Sequence, residues 1–178
     1  MYSETMVLDA RLQKLSTGVS ARTAAHAFVL SMSPREPLTG VEQSQASEFA
    51  ATVEAMFLMA AVDGAVSPAE LWQLRSSVEA ISAPEPVAAG LDMLLSAAAD
   101  KLAAEGWQSR LDQVAHHLTT PESRLLAFRL AAAVAMVDDD VAHAEAAAID
   151  ALSSAFGISP DDSQAALREV VQELFGGA

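Results

Sequence analysis

The chain has 178 residues, enough for one domain with a buried core, and its lack of cysteine excludes disulfides, thiolate metal sites and a cysteine nucleophile. Acidic residues outnumber basic ones by 24 to 10, and the formal charge of −14 argues against nucleic acid and anionic membrane surfaces as partners. Hydrophobic residues make up 52% of the chain and aromatic residues only 5%, which favours an all-α fold of helices packed through small side chains.

The first 38 residues are predicted to form an N-terminal helical extension, 1–38, ahead of a main domain, 39–178. Ser3 can cap a helix that ends at Gly18, and a second helix runs from Ser20 to about Met32. The two prolines in 33–37 break this helix, because proline disfavours helix in the residue before it. The start of the chain has no basic region of the kind that a secretory signal carries, which argues against such a signal.

Apolar residues at steps of three and four predict further helices along the main domain, for about eight or nine in all. Their inward residues are expected to include Leu71 and Leu74 in one helix and Val170 and Val171 in the last. Sequence start signals mark several of them, including the capping-box spacing of Thr39–Glu42 and of Ser67–Glu70, Thr120 followed by Pro121, and Ser159 followed by Pro160. No alternating strand pattern competes with these helices. The longest apolar run, 125–137, is too short to span a bilayer, so no direct membrane insertion is expected.

Two stretches of the chain, 62–70 and 137–145, repeat each other at an interval of 75 residues. Two carboxylates and two apolar residues recur in register, with Asp63, Val66, Glu70 and Leu74 matched by Asp138, Val141, Glu145 and Ile149. Each stretch is an acidic loop between two apolar helical segments, so the chain contains two related helix-loop-helix units, roughly 43–82 and 121–157. We expect these units to pack about a pseudo-two-fold axis that buries both apolar stripes.

The doubled pattern contains Asp-Gly-Ala-Val-Ser-Pro-Ala-Glu at 63–70, and its second copy closes with Ala-Phe-Gly-Ile-Ser-Pro-Asp-Asp at 155–162. It resembles the tellurite-resistance protein B (TerB-like) family over roughly residues 43–165. The resemblance implies a small, acidic, all-helical cytoplasmic protein of tellurite and chemical-stress resistance, with no enzymatic activity. It also implies a divalent cation at the acidic loops and a partner protein at a membrane, and related domains occur on J-domain co-chaperones.

The family's acidic pair falls, by position, on Asp63 and Glu70 in the first loop and on Asp138 and Glu145 in the second. The second loop departs from the pattern because Asp139 replaces the glycine of the first loop and Asp140 adds a further charge. The candidate metal ligands are therefore Asp63, Glu70, Asp138, Asp139, Asp140 and Glu145. Such all-oxygen donors suit Ca²⁺ or Mg²⁺, with Mn²⁺ as a third option.

The spacing of these carboxylates predicts weak cation sites. An EF-hand loop needs donors at alternating positions and a glutamate about eleven residues after the first aspartate, whereas Glu70 follows Asp63 by seven residues. Each loop therefore needs water or a partner to complete its ligands. Capping of a helix explains Glu70 by itself, but Ala142 stands where the first loop has its capping Ser67, so capping explains Glu145 less well.

The alternative is a purely structural interaction domain, or a co-chaperone-type adaptor, that binds no metal and docks a partner helix in an apolar groove. Its acidic residues would then serve solubility and the helix ends. Motifs for nucleophilic catalysis, phosphate-cradling glycine loops and zinc-binding histidine pairs are absent from the sequence, so no enzyme is expected.

Several other residues have weaker claims to a site. His143 is a minor ligand candidate in the second loop, and the neighbours His116 and His117 point about 100° apart on a helix, as surface residues would. Trp72 and Trp107 are open to either a core or an interface role. Core filling, rather than binding of a soft metal, is expected for the methionines near the apolar stripes, Met56, Met59, Met93 and Met136.

Overall fold

The computed structural model describes residues 19–32, 37–83, 85–136 and 143–176, and every regular element in these ranges is a helix. The eight helices found there are α1 (Val19–Ser31), α2 (Gly40–Ala60), α3 (Pro68–Ser82), α4 (Ala88–Glu105), α5 (Trp107–His117), α6 (Pro121–Met136), α7 (His143–Ala155) and α8 (Pro160–Phe175). The all-α prediction is confirmed. The helix predicted between Ser3 and Gly18 lies outside the described residues.

Side-chain caps determine where four of the helices begin. Reciprocal hydrogen bonds join the ends of the capping boxes Thr39–Glu42 at α2 and Ser67–Glu70 at α3. At α6 the Oγ1 atom of Thr120 accepts a hydrogen bond from the N–H of Ser123, and Ser159 caps α8 in the same way. These oxygens satisfy backbone N–H groups that have no partner inside the helix, so the predicted starts of these helices are confirmed.

The centre of the molecule is formed by α2 and α6, which pack against each other. Two faces of α2 are buried. One face carries Phe49, Val53 and Phe57 and contributes to a cluster with α1, α3, α4, α6 and α8. The opposite face is made of smaller or more flexible residues, Ala51 and Ala55 among them, and joins a cluster with α5, α6 and α7. Since both clusters share α2 and α6, the helix before each acidic loop is anchored in the core.

The two related units each continue into a second helix after the acidic stretch. Pro68 opens α3, and the described part of α7 runs from the repeat counterpart of Pro68, His143. The matched residues Leu74 and Ile149 are both buried, at 3% and 5% exposure. The repeat therefore extends from sequence to helix position and core packing, while the pseudo-two-fold axis stays a prediction.

The helix α1 packs along α2 and belongs to the same core. The ring of Phe28 stacks on that of Phe49, with centroids 4.8 Å apart and an interplanar angle of 28°. Ala25 and Ala27 of α1 are almost fully buried. Near its C-terminal end α1 approaches α4 so closely that a Cβ atom on Gly90 would lie 2.8 Å from the ring of Phe28. The domain boundary after residue 38 stays a prediction.

Three apolar residues that the helical spacing places inward are exposed instead. Leu71 is 37% exposed because it faces a gap between α3 and α4. Val171 is 44% exposed because α8 buries only the narrow stripe that includes its neighbour Val170. Met93 is 74% exposed, since it lies about 200° around α4 from the buried Leu91. The core-filling prediction is therefore wrong for Met93.

None of the described helices is long and apolar enough to cross a membrane.

Candidate acidic loop site and the adjoining groove

The first acidic loop connects α2 to α3 through a tight turn. The N–H of Gly64 donates to the carbonyl oxygen of Ala61 at 2.9 Å. Gly64 has φ of +113°, a backbone conformation that residues with a Cβ atom rarely adopt. This turn leaves the side chain of Asp63 exposed, while Val66 lies half-buried against the core. The glycine of the motif is thus explained by backbone geometry, and the position of Asp63 follows from it.

The carboxylate of Glu70 is turned back onto the start of α3. Its Oε2 atom accepts a hydrogen bond of 2.7 Å from the N–H of Ser67, and the Oγ atom of Ser67 accepts one of 3.2 Å from the N–H of Glu70. One oxygen of Glu70 therefore serves the helix end, as the capping interpretation predicts. Among the described residues, no three or more His, Asp or Glu side chains converge as a metal site would require.

The second acidic loop is only partly described. Asp138, Asp139 and Asp140 lie outside the described residues. Glu145 is described, and it is a half-buried residue in the first turn of α7. His143 opens the same helix. The cation role of both loops therefore stays a prediction.

The remaining candidates fall into core and surface residues. Met56 and Met59 are buried in α2, as expected. His116 and His117 are exposed on α5, with ring centroids 6.1 Å apart and an interplanar angle of 75°.

The indole Nε1 of Trp107 donates to the carbonyl oxygen of Leu58 at 2.8 Å, so Trp107 anchors α5 on α2. The two tryptophans therefore differ in role, because Trp72 is 58% exposed.

An apolar groove, whose location was not predicted from the sequence, lies beside the first acidic loop. This α3–α4 groove has a volume of about 650 Å³ and is lined by the loop residues 64–66 and by facing residues of the two helices, including Leu71, Trp72, Leu95 and Ala99, with Phe57 of α2 among them. A signal for it was present in the sequence. Leu71 and Trp72 are adjacent and so point about 100° apart, which is too wide for both to join the stripe of Leu74.

One ion-pair cluster closes an end of this groove. The Nε atom of Arg75 in α3 lies 3.3 Å from a carboxylate oxygen of Glu79 and 3.3 Å from one of Asp92 in α4. Arg75 lines the groove, and its positive charge is opposed by two carboxylates there. The described residues at this end therefore leave an excess of negative charge.

Comparison with known proteins identifies the family. The family model described as tellurite resistance protein TerB matches residues 45–168, from the first turns of α2 to the middle of α8 and including both acidic loops. No curated protein and no solved structure matches the chain significantly. The family match covers more than two thirds of the 178 residues and leaves α1 outside it. The chain therefore belongs to the TerB family of tellurite-resistance proteins.

Proposed function

We propose that this chain is a non-enzymatic, cytoplasmic stress-response module of the tellurite-resistance type, which binds a divalent cation at its two acidic loops, with or without a protein partner. The supporting observation is the acidic sequence that is repeated before α3 and α7. Asp63 is exposed in the first copy, and Asp138 is its counterpart 75 residues further along the sequence. The family to which the chain belongs supports the link to tellurite resistance.

The first loop supports a weak site. Asp63 is exposed, and Glu70 retains carboxylate lone pairs beyond the one that caps α3. Ca²⁺ takes about six to eight oxygen ligands, so these two side chains leave most positions to backbone carbonyls, water or a partner. The second loop has three consecutive aspartates, and like charges so close together are relieved when a cation binds. We therefore expect the second loop to bind more tightly than the first.

A cation titration followed by NMR tests this function. Ca²⁺, Mg²⁺ and Mn²⁺ are added separately to chain that has been treated with chelator, and the backbone amide signals of both loops are followed for Ca²⁺ and Mg²⁺, with paramagnetic broadening as the readout for Mn²⁺. We expect saturable changes at Asp63 and Asp138 at millimolar cation. Asp161 and Asp162 are the matched control, since they are exposed acids at the start of α8 and belong to neither acidic loop. Equal responses at the control and the loops, or none at the loops, would contradict cation binding.

A second candidate function is a purely structural interaction domain, or a co-chaperone-type adaptor, that binds no metal. Two observations favour it: the use of the Glu70 carboxylate as a cap, and the open apolar groove beside the loop. Binding of a partner in excess chelator, together with the absence of any cation response, would select this function over the first.

A further inference from the structure

We infer that the α3–α4 groove is the docking site for a cationic amphipathic helix of a partner protein. The inference rests on the binding role proposed above and names the surface and the partner chemistry. Its support comes from the shape of the groove, from a comparison of the two repeat units and from the charges at the groove ends.

The shape of the groove suits a helix. Residues along several turns of both helices line the groove, and Arg75 of α3 lies opposite Asp92 of α4 at one end. The part of α4 that lines the groove, from Asp92 to Ala103, is about 16 Å long at 1.5 Å per residue, which is three helical turns. A groove between two helices accepts the apolar stripe of a third by ordinary side-chain packing.

The second repeat unit provides an internal comparison for the groove wall. Leu71 and Trp72 of α3 occupy the positions of Ala146 and Ala147 in α7, and all four side chains are exposed. The buried Leu74, by contrast, is matched by another large apolar residue. Both units therefore have a large apolar residue at the core position, whereas the second unit has only small side chains at the two exposed positions. Leu71 and Trp72 are large for a reason other than folding, and contact with a partner supplies one.

Acidic residues lie at both ends of the groove. Asp63 is exposed next to the lining residue Gly64 at the loop end. At the other end Glu79 and Asp92 oppose the single cation of Arg75. Between these ends the walls are mostly apolar. A complementary helix carries leucine-like residues along one face and Lys or Arg near both ends, and the formal charge of −14 on the chain attracts such a partner over longer range.

The test uses a designed peptide of Leu, Ala and Lys about 18 residues long, because shorter isolated helices are marginal in water. Its leucines follow helical spacing on one face. One control peptide replaces every Lys with Glu, and another has the same composition in scrambled order. The chain has two tryptophans, so its two indole N–H signals report separately on Trp72 in the groove and on the half-buried Trp107, which is hydrogen-bonded to Leu58. We expect the Lys peptide to shift the Trp72 signal saturably and to leave that of Trp107 in place.

Variants of the chain locate the contact. The double substitution Leu71→Ala with Trp72→Ala, which copies the second repeat unit, is expected to weaken peptide binding at least about tenfold. Met93→Ala is the matched control, because Met93 is an exposed apolar residue of α4 that does not line the groove, and it is expected to leave binding unchanged. Circular dichroism of both variants checks that the helices are intact. We expect intact helices, because the substituted residues are exposed.

Several results would overturn the inference. If the Glu peptide binds as tightly as the Lys peptide, charge complementarity is contradicted. If the scrambled peptide does so, the match to an amphipathic helix is contradicted. Unchanged binding to the double variant would show that the peptide does not bind in the groove. Concentration-dependent shifts of Trp72 without peptide assign the groove to a second copy of the chain. Nuclear Overhauser contacts from Trp72 to residues 1–18 assign it to this chain itself, and a response to lipid vesicles with none to the peptide assigns it to a membrane.

The cation titration separates this inference from the proposed function. Loop signals that respond to cation, with no peptide binding, would leave the proposed function standing and remove the docking site. Peptide binding in excess chelator, with no response of the loop signals to cation, would support the docking site and contradict cation binding.

Discussion

The guanidinium of Arg110 in α5 binds the carboxylate of Glu54 in α2 through two hydrogen bonds, 2.7 Å from Nε to Oε1 and 3.1 Å from Nη2 to Oε2. A third bond of 2.8 Å runs from Nη1 to Glu105 at the end of α4. Arg110 is only 7% exposed, and its hydrogen bonds to Glu54 above all raise its pKa further above the usual range. One arginine therefore joins three helices.

Replacing Arg110 by Met is expected to lower the free energy of unfolding by about 3 kcal/mol, because it leaves the largely buried carboxylate of Glu54 without its partner. Urea denaturation followed by circular dichroism measures this change. Lys101→Met on exposed α4 surface is the control and should stay within about 0.5 kcal/mol. In a double-mutant cycle, Glu54→Gln should lower the free energy of unfolding much less in the Arg110→Met background than in the original chain. Additive effects would contradict the coupling.

Replacing Phe28 by Ala is expected to destabilise the whole domain by about 3 kcal/mol, because the lost ring leaves a cavity against Phe49 and Gly90. Thermal unfolding should remain a single transition with a lower midpoint. Val41→Ala is the control, since Val41 is 67% exposed near the start of α2. A separate, early loss of α1 with the main transition unmoved would show instead that α1 unfolds independently of the domain.

Replacing Ser67 by Ala should cost about 1 kcal/mol, since the N–H of Glu70 loses its acceptor at the start of α3. Chemical denaturation measures the cost, and amide exchange should be faster in the first turn of α3. Ser67→Asp is the control, because aspartate also caps helices and should restore most of the stability. If alanine and aspartate behave alike, the capping bond contributes nothing measurable.

Replacing Asp138 and Asp139 together by Asn should abolish most of the stabilisation that cation binding provides. A cation at ten times its dissociation constant raises the free energy of unfolding by about 1.4 kcal/mol. The measurement is the shift in denaturation midpoint between chelator and excess Ca²⁺ or Mg²⁺. The matched variant carries Asn at Asp161 and Asp162 and should keep the full shift. Equal shifts in the two variants would mean that cations act on the chain through its net charge alone.

Local interactions explain why most of the helices could be predicted from sequence. The bonds at Ser67–Glu70 and at Thr120 connect residues three apart, so their spacing alone predicts where a helix starts. The apolar stripe of α2 likewise predicts burial at Phe49, Val53 and Phe57. The doubled acidic motif was sufficient to identify the family, which the family match confirms.

The candidate site was predicted less completely, because it depends on neighbours distant in sequence. The residues of the first loop were identified, and the capping role of Glu70 was expected. The groove beside them forms between α3 and α4, with Phe57 of α2 in its lining, and the distance between these two helices depends on tertiary packing. Periodicity cannot supply that distance, so Leu71 was expected inside and Trp72 was left open.

By itself, the sequence determined the all-α class, the caps, the repeat and the acidic loops, since each arises from residues close together in the chain or from composition. Only the tertiary structure decided which apolar residues remain uncovered and which charges are buried. Arg110 is buried because α5 crosses Glu54 of α2, while Trp72 is exposed because α4 leaves room beside it. Helical spacing predicts that a face is apolar, whereas the packing of whole helices decides what, if anything, covers that face.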